Sequence, residues 1–146
     1  MYHLYSYEDK RRALSETLRV TKPGGLIFAA YCIQDASIVQ YGFQGGNMNE
    51  IFEKKLLDPE TFKVISNPSE IFELHRKEDI DDLIAGFNAE RLHYAATDLF
   101  TNYIRPTVDA MDDETFGLYL KYHFSICERP DMAGITNHSL DVWRKL

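Results

Sequence analysis

Histidine and cysteine have the widest chemical range of the side chains in this sequence, and their spacing limits what they can do. The histidines stand at positions 3, 75, 93, 123 and 138, and the cysteines at 32 and 127. No His-x-x-x-His or Cys-x-x-Cys pair occurs, so we expect no bound metal. His3 lies in the aromatic stretch Tyr2-His3-Leu4-Tyr5, and an imidazole can accept a proton from a hydroxyl or an amine near neutral pH. The alternative is a loop histidine with a structural hydrogen bond.

Aromatic side chains are the other candidates for binding a ligand. Tyr31 ends an apolar run, where its ring can form a substrate wall or pack beneath a covering segment. Tyr41, Phe43 and Phe52 follow, and they can line an acceptor pocket or form a small core of their own. Cys32 is expected to be a small buried hydrophobic residue and not a nucleophile.

The first predicted elements are a helix and a strand. Ser6 stands three residues before Asp9, which predicts a helix start, and apolar residues then recur at helical spacing. The helix ends at Lys22-Pro23-Gly24-Gly25. The apolar run Leu26–Cys32 predicts a strand buried on both faces, as in a parallel sheet covered by helices, and a buried helix is the alternative.

The stretch that follows has a different character, because short helical pieces without a long apolar stripe are interrupted by glycine and proline. Such a stretch is more typical of an inserted lid than of a core layer. We expect the lid at about 33–76, with helices at about 35–42, 48–57 and 59–66.

The rest of the chain alternates between helices and strands. We expect a helix carrying Ile80 and Ile84, a strand from Glu90 to Leu99, a helix from Met111 to Cys127, and a last strand from Asn137 to Lys145. This order predicts an α/β architecture in a single domain over residues 1–146.

Composition excludes several classes of function. The chain has 146 residues, 45% of them hydrophobic, which is enough to bury a core. Its net charge is −7 and its longest basic run is Lys10–Arg12, so we expect no nucleic-acid partner. Two cysteines make no disulfide framework, and no apolar stretch approaches the roughly 18 residues of a membrane span. We therefore expect a cytoplasmic protein without a membrane partner.

One segment carries a resemblance to a known family. Leu18-Arg19-Val20-Thr21-Lys22-Pro23-Gly24-Gly25 leads directly into Leu26-Ile27-Phe28-Ala29-Ala30, and Tyr2-His3-Leu4 precedes both. In this order the sequence resembles the C-terminal half of a class I S-adenosylmethionine-dependent methyltransferase. Cys127-Glu128-Arg129-Pro130 and Asn137-His138-Ser139-Leu140 are similar to the last helix and the final antiparallel strand of that family.

The resemblance implies a fold and a set of site residues. The fold is a partial Rossmann-like methyltransferase sheet, made of the last parallel strand and a C-terminal antiparallel strand pair, with a mostly helical lid. The cofactor is S-adenosylmethionine, and the substrate is a small-molecule acceptor. His3 is the general base, and the residues that bind the acceptor are Tyr2, Tyr5, Tyr31, Tyr41 and Phe43.

The sequence also departs from this family. The family binds its cofactor at a glycine-rich loop after the first strand, with an acidic residue at the end of the second strand. Here Gly24-Gly25 precedes a strand and Gly45-Gly46 follows none, so no cofactor-binding residue is assigned. We expect a chain that lacks the cofactor-binding half, roughly 100 residues at about 30 per βαβ unit. It would supply the lid and part of the active site, and it would be inactive alone.

The expected absence of the first strands has a physical consequence. The strand Leu26–Tyr31 would expose unpaired backbone groups beside apolar side chains, and such an edge favours association. We therefore expect a homo-oligomer, or a partner chain, at this edge. The alternative function is a non-catalytic α/β module that acts by association through the open edge.

Overall fold

Six α-helices and four β-strands follow one another in the computed structural model, which describes residues 1–146. The helices are α1 (Tyr7–Val20), α2 (Gln34–Ser37), α3 (Met48–Glu53), α4 (Lys77–Ile84), α5 (Arg105–Asp109) and α6 (Asp113–Ile126). The strands are β1 (Leu26–Ile33), β2 (Leu74–His75), β3 (Ala89–Ala96) and β4 (His138–Lys145). A π-helical stretch covers Ile38–Gln44 and a 3₁₀ turn covers Pro130–Met132. The predicted α/β class is confirmed.

The strands form one mixed sheet in the order β2-β1-β4-β3. The short strand β2 runs parallel to β1 and pairs only with Cys32 and Ile33. Strand β4 lies antiparallel between β1 and β3. This arrangement brings the carboxyl ends of β1 and β3 beside the start of β4, at one end of the sheet.

Helix α1 begins and ends where the sequence predicts. The Ser6 hydroxyl accepts a hydrogen bond from the backbone N–H of Asp9 at 3.1 Å, which satisfies one free donor of the first turn. The helix ends at Val20, and the chain reverses through Gly24, whose φ of +74° favours glycine. The reversal leads directly into β1.

One face of the sheet is covered by α1 and α4. Apolar residues of both helices pack on the inward side of β1 and on Trp143 of β4, whose side chain is 1% exposed. The core residues are Leu14, Leu18, Ile27, Ala29, Tyr31, Ile33, Ile80, Leu83 and Trp143. This is the largest hydrophobic cluster of the chain.

The opposite face of β1 is open at its start. Leu26 is 50% exposed and Phe28 is 65% exposed, while the alternating residues Ile27 and Ala29 are buried. The prediction that this strand is buried on both faces is therefore wrong for its first half. The reason is that α1 and α4 both pack on the side of Ile27 and Ala29.

The segment 33–76 is partly helical, as predicted. Helix α2 and the π-helical stretch confirm the piece at 35–42, and α3 confirms the start of the piece at 48–57. The predicted helix at 59–66 is wrong. The Asp58 carboxylate accepts hydrogen bonds from the backbone N–H groups of Glu60 and Thr61, which holds a turn there.

A small aliphatic core holds this segment together. Ile51, Leu56 and Leu57 are buried against one another and form a cluster separate from the core beneath the sheet. The aromatic residues of the segment are not part of it, since Tyr41, Phe43 and Phe52 are exposed. Of the two alternatives for these aromatic residues, a small core of their own is therefore wrong.

Three further features complete the fold. The sequence did not predict β2 or α5, which have two and five residues. Strand β3 ends at Ala96, three residues earlier than predicted, because a turn follows in which Leu99 has a φ of +44°. None of the helices combines the length and the apolar composition needed to cross a bilayer.

Candidate functional site

A cavity of about 460 Å³ lies between the residues before α1 and the segment 33–76. Its walls include Ser37 and Ile38, which follow β1, and Leu74 of β2, which pairs with β1. The cavity is therefore close to the carboxyl end of β1, the end at which open α/β sheets bind ligands. More than half of its lining residues are hydrophobic, as is usual for small-molecule sites.

The cavity brings together three of the six predicted site residues. His3, Tyr5 and Tyr41 all line it. Tyr2 lies just outside and packs against Phe72 of the cavity wall, with 6.5 Å between the ring centroids. Burial raises the pKa of Tyr2, so its hydroxyl stays protonated at neutral pH.

The other two predicted residues lie elsewhere. Phe43 is 61% exposed and does not line the cavity. Tyr31 is fully buried beneath the sheet, and its ring packs edge-on against His75 at 5.3 Å. Burial, with the charge of Asp141, raises the pKa of Tyr31. Neither residue lines the cavity.

His3 is held loosely. Its Nδ1 atom is 3.5 Å from the Tyr5 hydroxyl, at the limit of a hydrogen bond, and its ring packs edge-on against Phe72 at 5.3 Å. No carboxylate contacts the ring, so nothing fixes which ring nitrogen carries the proton. His3 is in place to touch a ligand, but it is poorly oriented as a base.

A cluster of three charged side chains lines one side of the cavity. The Lys54 ammonium contacts Glu50 at 2.9 Å and Glu70 at 2.8 Å, and all three residues line the cavity. The hydrogen bonds to Glu70 and Glu50 raise the pKa of Lys54, so it stays charged. These ion pairs link α3 to the turn before β2.

A buried ion pair lies beneath the sheet and away from the cavity. The Asp141 carboxylate is fully buried and accepts two hydrogen bonds from the Arg91 guanidinium, both at 2.8 Å. Arg91 also contacts Asp81 of α4 at 2.6 Å. Burial disfavours the charged guanidinium, but the bonds to Asp141 and Asp81 outweigh this and raise the pKa of Arg91. The pair links β3, β4 and α4.

The sequence analysis missed a second histidine at the same end of the sheet. The Nδ1 atom of His138, at the start of β4, lies 2.7 Å from the Asp98 carboxylate. The ring of Tyr2 is 6.1 Å from the ring of His138. A signal was present in the sequence, because Asp98 lies near the end of one predicted strand and His138 near the start of the last one.

The residues of this chain do not fit a bound S-adenosylmethionine. Strand β1 passes directly into α2 with no glycine-rich loop, and Gly45-Gly46 follows the π-helical stretch. No strand is followed by the loop that holds such a cofactor. There is also no group of three or more histidine, cysteine or acidic side chains placed to hold a metal ion.

Fold and site together define the class to which the chain belongs. It is an α/β protein with a mixed four-stranded sheet and a mostly apolar cavity near the carboxyl end of β1. Comparison with models of known protein families gives no match, and a search of curated proteins gives no relative with significant similarity.

Proposed function

We propose that this chain is the acceptor-binding, C-terminal portion of a class I S-adenosylmethionine-dependent methyltransferase. The observation that carries the proposal is the cavity. His3 and Tyr5 come from the aromatic stretch before α1, Tyr41 comes from the predicted lid, and all three line the same cavity. Segment 33–76 then acts as the lid over a small-molecule acceptor. The cofactor is held by a portion outside these residues.

The strand arrangement supports this proposal. The resemblance implied a last parallel strand followed by a C-terminal antiparallel pair. Strand β4 lies antiparallel between β1 and β3, and the Lys22-Pro23-Gly24-Gly25 turn leads into β1. The antiparallel position of β4 between β1 and β3 supports the proposal, whereas β2, on the other side of β1, is not among the strands that the resemblance implied.

The lid supports the proposal as well. It has its own small core of Ile51, Leu56 and Leu57, and the ion pairs of Lys54 with Glu50 and Glu70 join two parts of the segment. A segment with a separate core can move as a unit over a bound ligand. Enclosure of this kind would exclude water from the acceptor.

The reading frame upstream of Met1 tests this proposal. We expect in-frame codons for a strand followed directly by a Gly-x-Gly-x-Gly loop, within roughly 100 residues of Met1 at about 30 residues per βαβ unit. An in-frame stop codon with a ribosome-binding site directly before Met1 would contradict the proposal for this chain.

The open edge of β1 favours a second candidate function, association. The backbone N–H of Ile33 donates to the carbonyl of Asn137, the residue before β4, at 2.8 Å, so the odd-numbered residues of β1 direct their backbone groups toward β4. Backbone groups alternate along a strand, so those of Leu26 and Phe28 point to the opposite edge. Strand β2 does not cover them, and both side chains are exposed. A second copy of the chain could pair there, antiparallel to β1.

Substituting Phe28 tests the association. A lysine on an exposed edge strand opposes strand pairing, so Phe28→Lys is expected to sediment as a monomer where the unmodified chain sediments as a dimer. Phe124→Lys is the matched control, because Phe124 is 71% exposed on α6 and far from β1 in sequence. Pairing at this edge is ruled out if the unmodified chain sediments as a monomer at high concentration. It is also ruled out if Phe28→Lys and Phe124→Lys abolish the dimer equally.

A further inference from the structure

We infer that the cavity selects a small organic cation, an ammonium group carried on an apolar body. This rests on the proposed function and deepens it, because it names the class of acceptor that the cavity takes. Three features of the lining support it: an excess of negative charge, aromatic rings from separate segments, and apolar walls. The ammonium group is assigned a role in recognition only.

The charged side chains of the lining do not balance. Glu50 and Glu70 are acidic and Lys54 is basic, which leaves one negative charge uncompensated. The Lys54 ammonium contacts Oε1 of Glu50 and Oε2 of Glu70, so each carboxylate keeps a second oxygen without a protein partner. No arginine lines the cavity. A monocation completes this cluster, whereas an anion meets an excess of its own charge.

Aromatic rings surround the same cavity. His3 and Tyr5 come from the segment before α1, Tyr41 from the π-helical stretch, and Phe72 from the residues before β2. Tyr41 is 53% exposed and Phe72 is 54% exposed, so much of each ring is available to a ligand. The face of an aromatic ring carries partial negative charge and attracts cations. The rings therefore favour the same ligand charge as the carboxylates.

Tyr41 and Glu50 are held in relation to each other by a close contact between the π-helical stretch and α3. An added Cβ at Gly42 would lie 2.6 Å from the Sδ atom of Met48, so glycine lets the two elements approach this closely. The Asn47 side chain, directly before α3, donates a hydrogen bond to the Tyr41 carbonyl at 2.8 Å. A ring and a carboxylate fixed in this way before binding reduce the cost of ordering them around a ligand.

The remaining walls define the body of the ligand. Ile51, Leu56 and Leu57, which form the small core of segment 33–76, also line the cavity. The volume of about 460 Å³ is that of a small-molecule site. An inorganic cation would leave these apolar walls unused, and a neutral apolar molecule would leave the carboxylates unused. A positive group on a hydrocarbon body uses both.

Three ligands that share one body test the inference. We use calorimetric titration at pH 8 with 4-phenylbutylamine, 4-phenylbutanol and 4-phenylbutyrate, which differ only in the terminal group. At this pH an alkyl amine is protonated, whereas histidine and tyrosine side chains are ordinarily neutral. Salt at about 0.15 M screens the net charge of −7 on the chain, so that long-range attraction does not decide the result.

The amine is expected to bind about tenfold more tightly than the alcohol, as a cation–π contact and a partly exposed ion pair together provide. The alcohol is expected to bind more tightly than the carboxylate, because the cavity has an excess of negative charge. Equal affinities for the amine and the alcohol, tighter binding of the carboxylate, or no binding of the amine overturns the inference.

Variants of the charged cluster separate recognition of charge from a structural role. Glu70→Gln is expected to weaken amine binding about fivefold and to leave alcohol binding unchanged. Lys54→Met removes the competing positive charge, so amine binding is expected to strengthen about fivefold. Glu53→Gln is the matched control and should change neither affinity, because Glu53 is exposed on α3 and does not line the cavity.

The alcohol reports whether the cavity is intact in each variant. Parallel changes in amine and alcohol affinity would show a structural role alone and contradict the inference. Weaker amine binding by Lys54→Met, or equal losses of amine binding in Glu70→Gln and Glu53→Gln, would contradict it as well.

A ring variant tests the aromatic contribution. Tyr41→Leu keeps an apolar side chain but has no ring face, so it is expected to weaken amine binding about threefold and alcohol binding less. Phe43→Leu is its control, because Phe43 lies on the same π-helical stretch but does not line the cavity. Equal effects of the two variants on amine binding would exclude Tyr41 from the site.

The outcome is separable from that of the proposed function. Binding of the three ligands requires no S-adenosylmethionine, so it is measured on the 146-residue chain alone. If the cavity prefers the amine and the upstream reading frame encodes no cofactor loop, the cation site stands and the methyltransferase proposal fails. If the loop is present but the amine is not preferred, the methyltransferase proposal stands and the cation site fails.

Discussion

Arg91→Met is expected to lower the free energy of unfolding by about 3–5 kcal/mol, the usual loss when one partner of a buried ion pair is removed. The variant leaves the Asp141 carboxylate fully buried, without the two hydrogen bonds that Arg91 donates to it. Asp81 of α4 loses a partner as well. Urea unfolding followed by circular dichroism measures the difference.

Arg144→Met is the matched control for this prediction. Arg144 also lies on the sheet and pairs with Glu90 at 3.3 Å, but both side chains are about half exposed. An exposed pair contributes at most about 1 kcal/mol. Equal losses in the two variants would show that the Arg91 pair does not organise β3, β4 and α4.

The second large effect concerns His75 and pH. His75 is buried, and burial, followed by the charge of Lys10, lowers its pKa to about 4. In the unfolded chain a histidine binds a proton below about pH 6.5. Neutral His75 therefore makes its full contribution to the free energy of unfolding above pH 6.5. That contribution is lost as the pH falls toward 4, by about 3 kcal/mol in total.

Unfolding of His75→Phe measures this contribution. Phenylalanine has no proton to bind and keeps a ring against Tyr31, which packs on His75 at 5.3 Å. Between pH 7 and pH 4 the unmodified chain is expected to lose about 3 kcal/mol more than the variant. His123→Phe, on the surface helix α6, should follow the unmodified chain. A pH dependence that His75→Phe leaves unchanged contradicts the prediction.

Much of the fold could be predicted from sequence periodicity. The capping residue Ser6, the glycine reversal before β1 and the apolar spacing of α1, α4 and α6 are local signals, and the structure follows them. Strand β2 could not be predicted, because two residues carry no periodicity and exist as a strand only by pairing with Cys32 and Ile33. The sequence also could not predict which face of β1 is covered by helices, because apolar composition does not show where helices pack.

The site was predictable to a similar degree. His3 and Tyr5 were predicted from the family resemblance and Tyr41 from its residue type, and all three line one cavity. His138 and Asp98 are 40 positions apart and meet only because β3 and β4 are antiparallel neighbours, which places the end of one beside the start of the other. That juxtaposition depends on strand order, which a single sequence does not state.

Calorimetric titration of S-adenosylmethionine tests the central claim most directly. The titration uses the product of the longer in-frame coding sequence and, beside it, the 146-residue chain. The account predicts micromolar binding by the longer product and negligible binding by the 146-residue chain, whose residues contain no loop for the cofactor. Micromolar binding by the 146-residue chain, or none by the longer product, would contradict it.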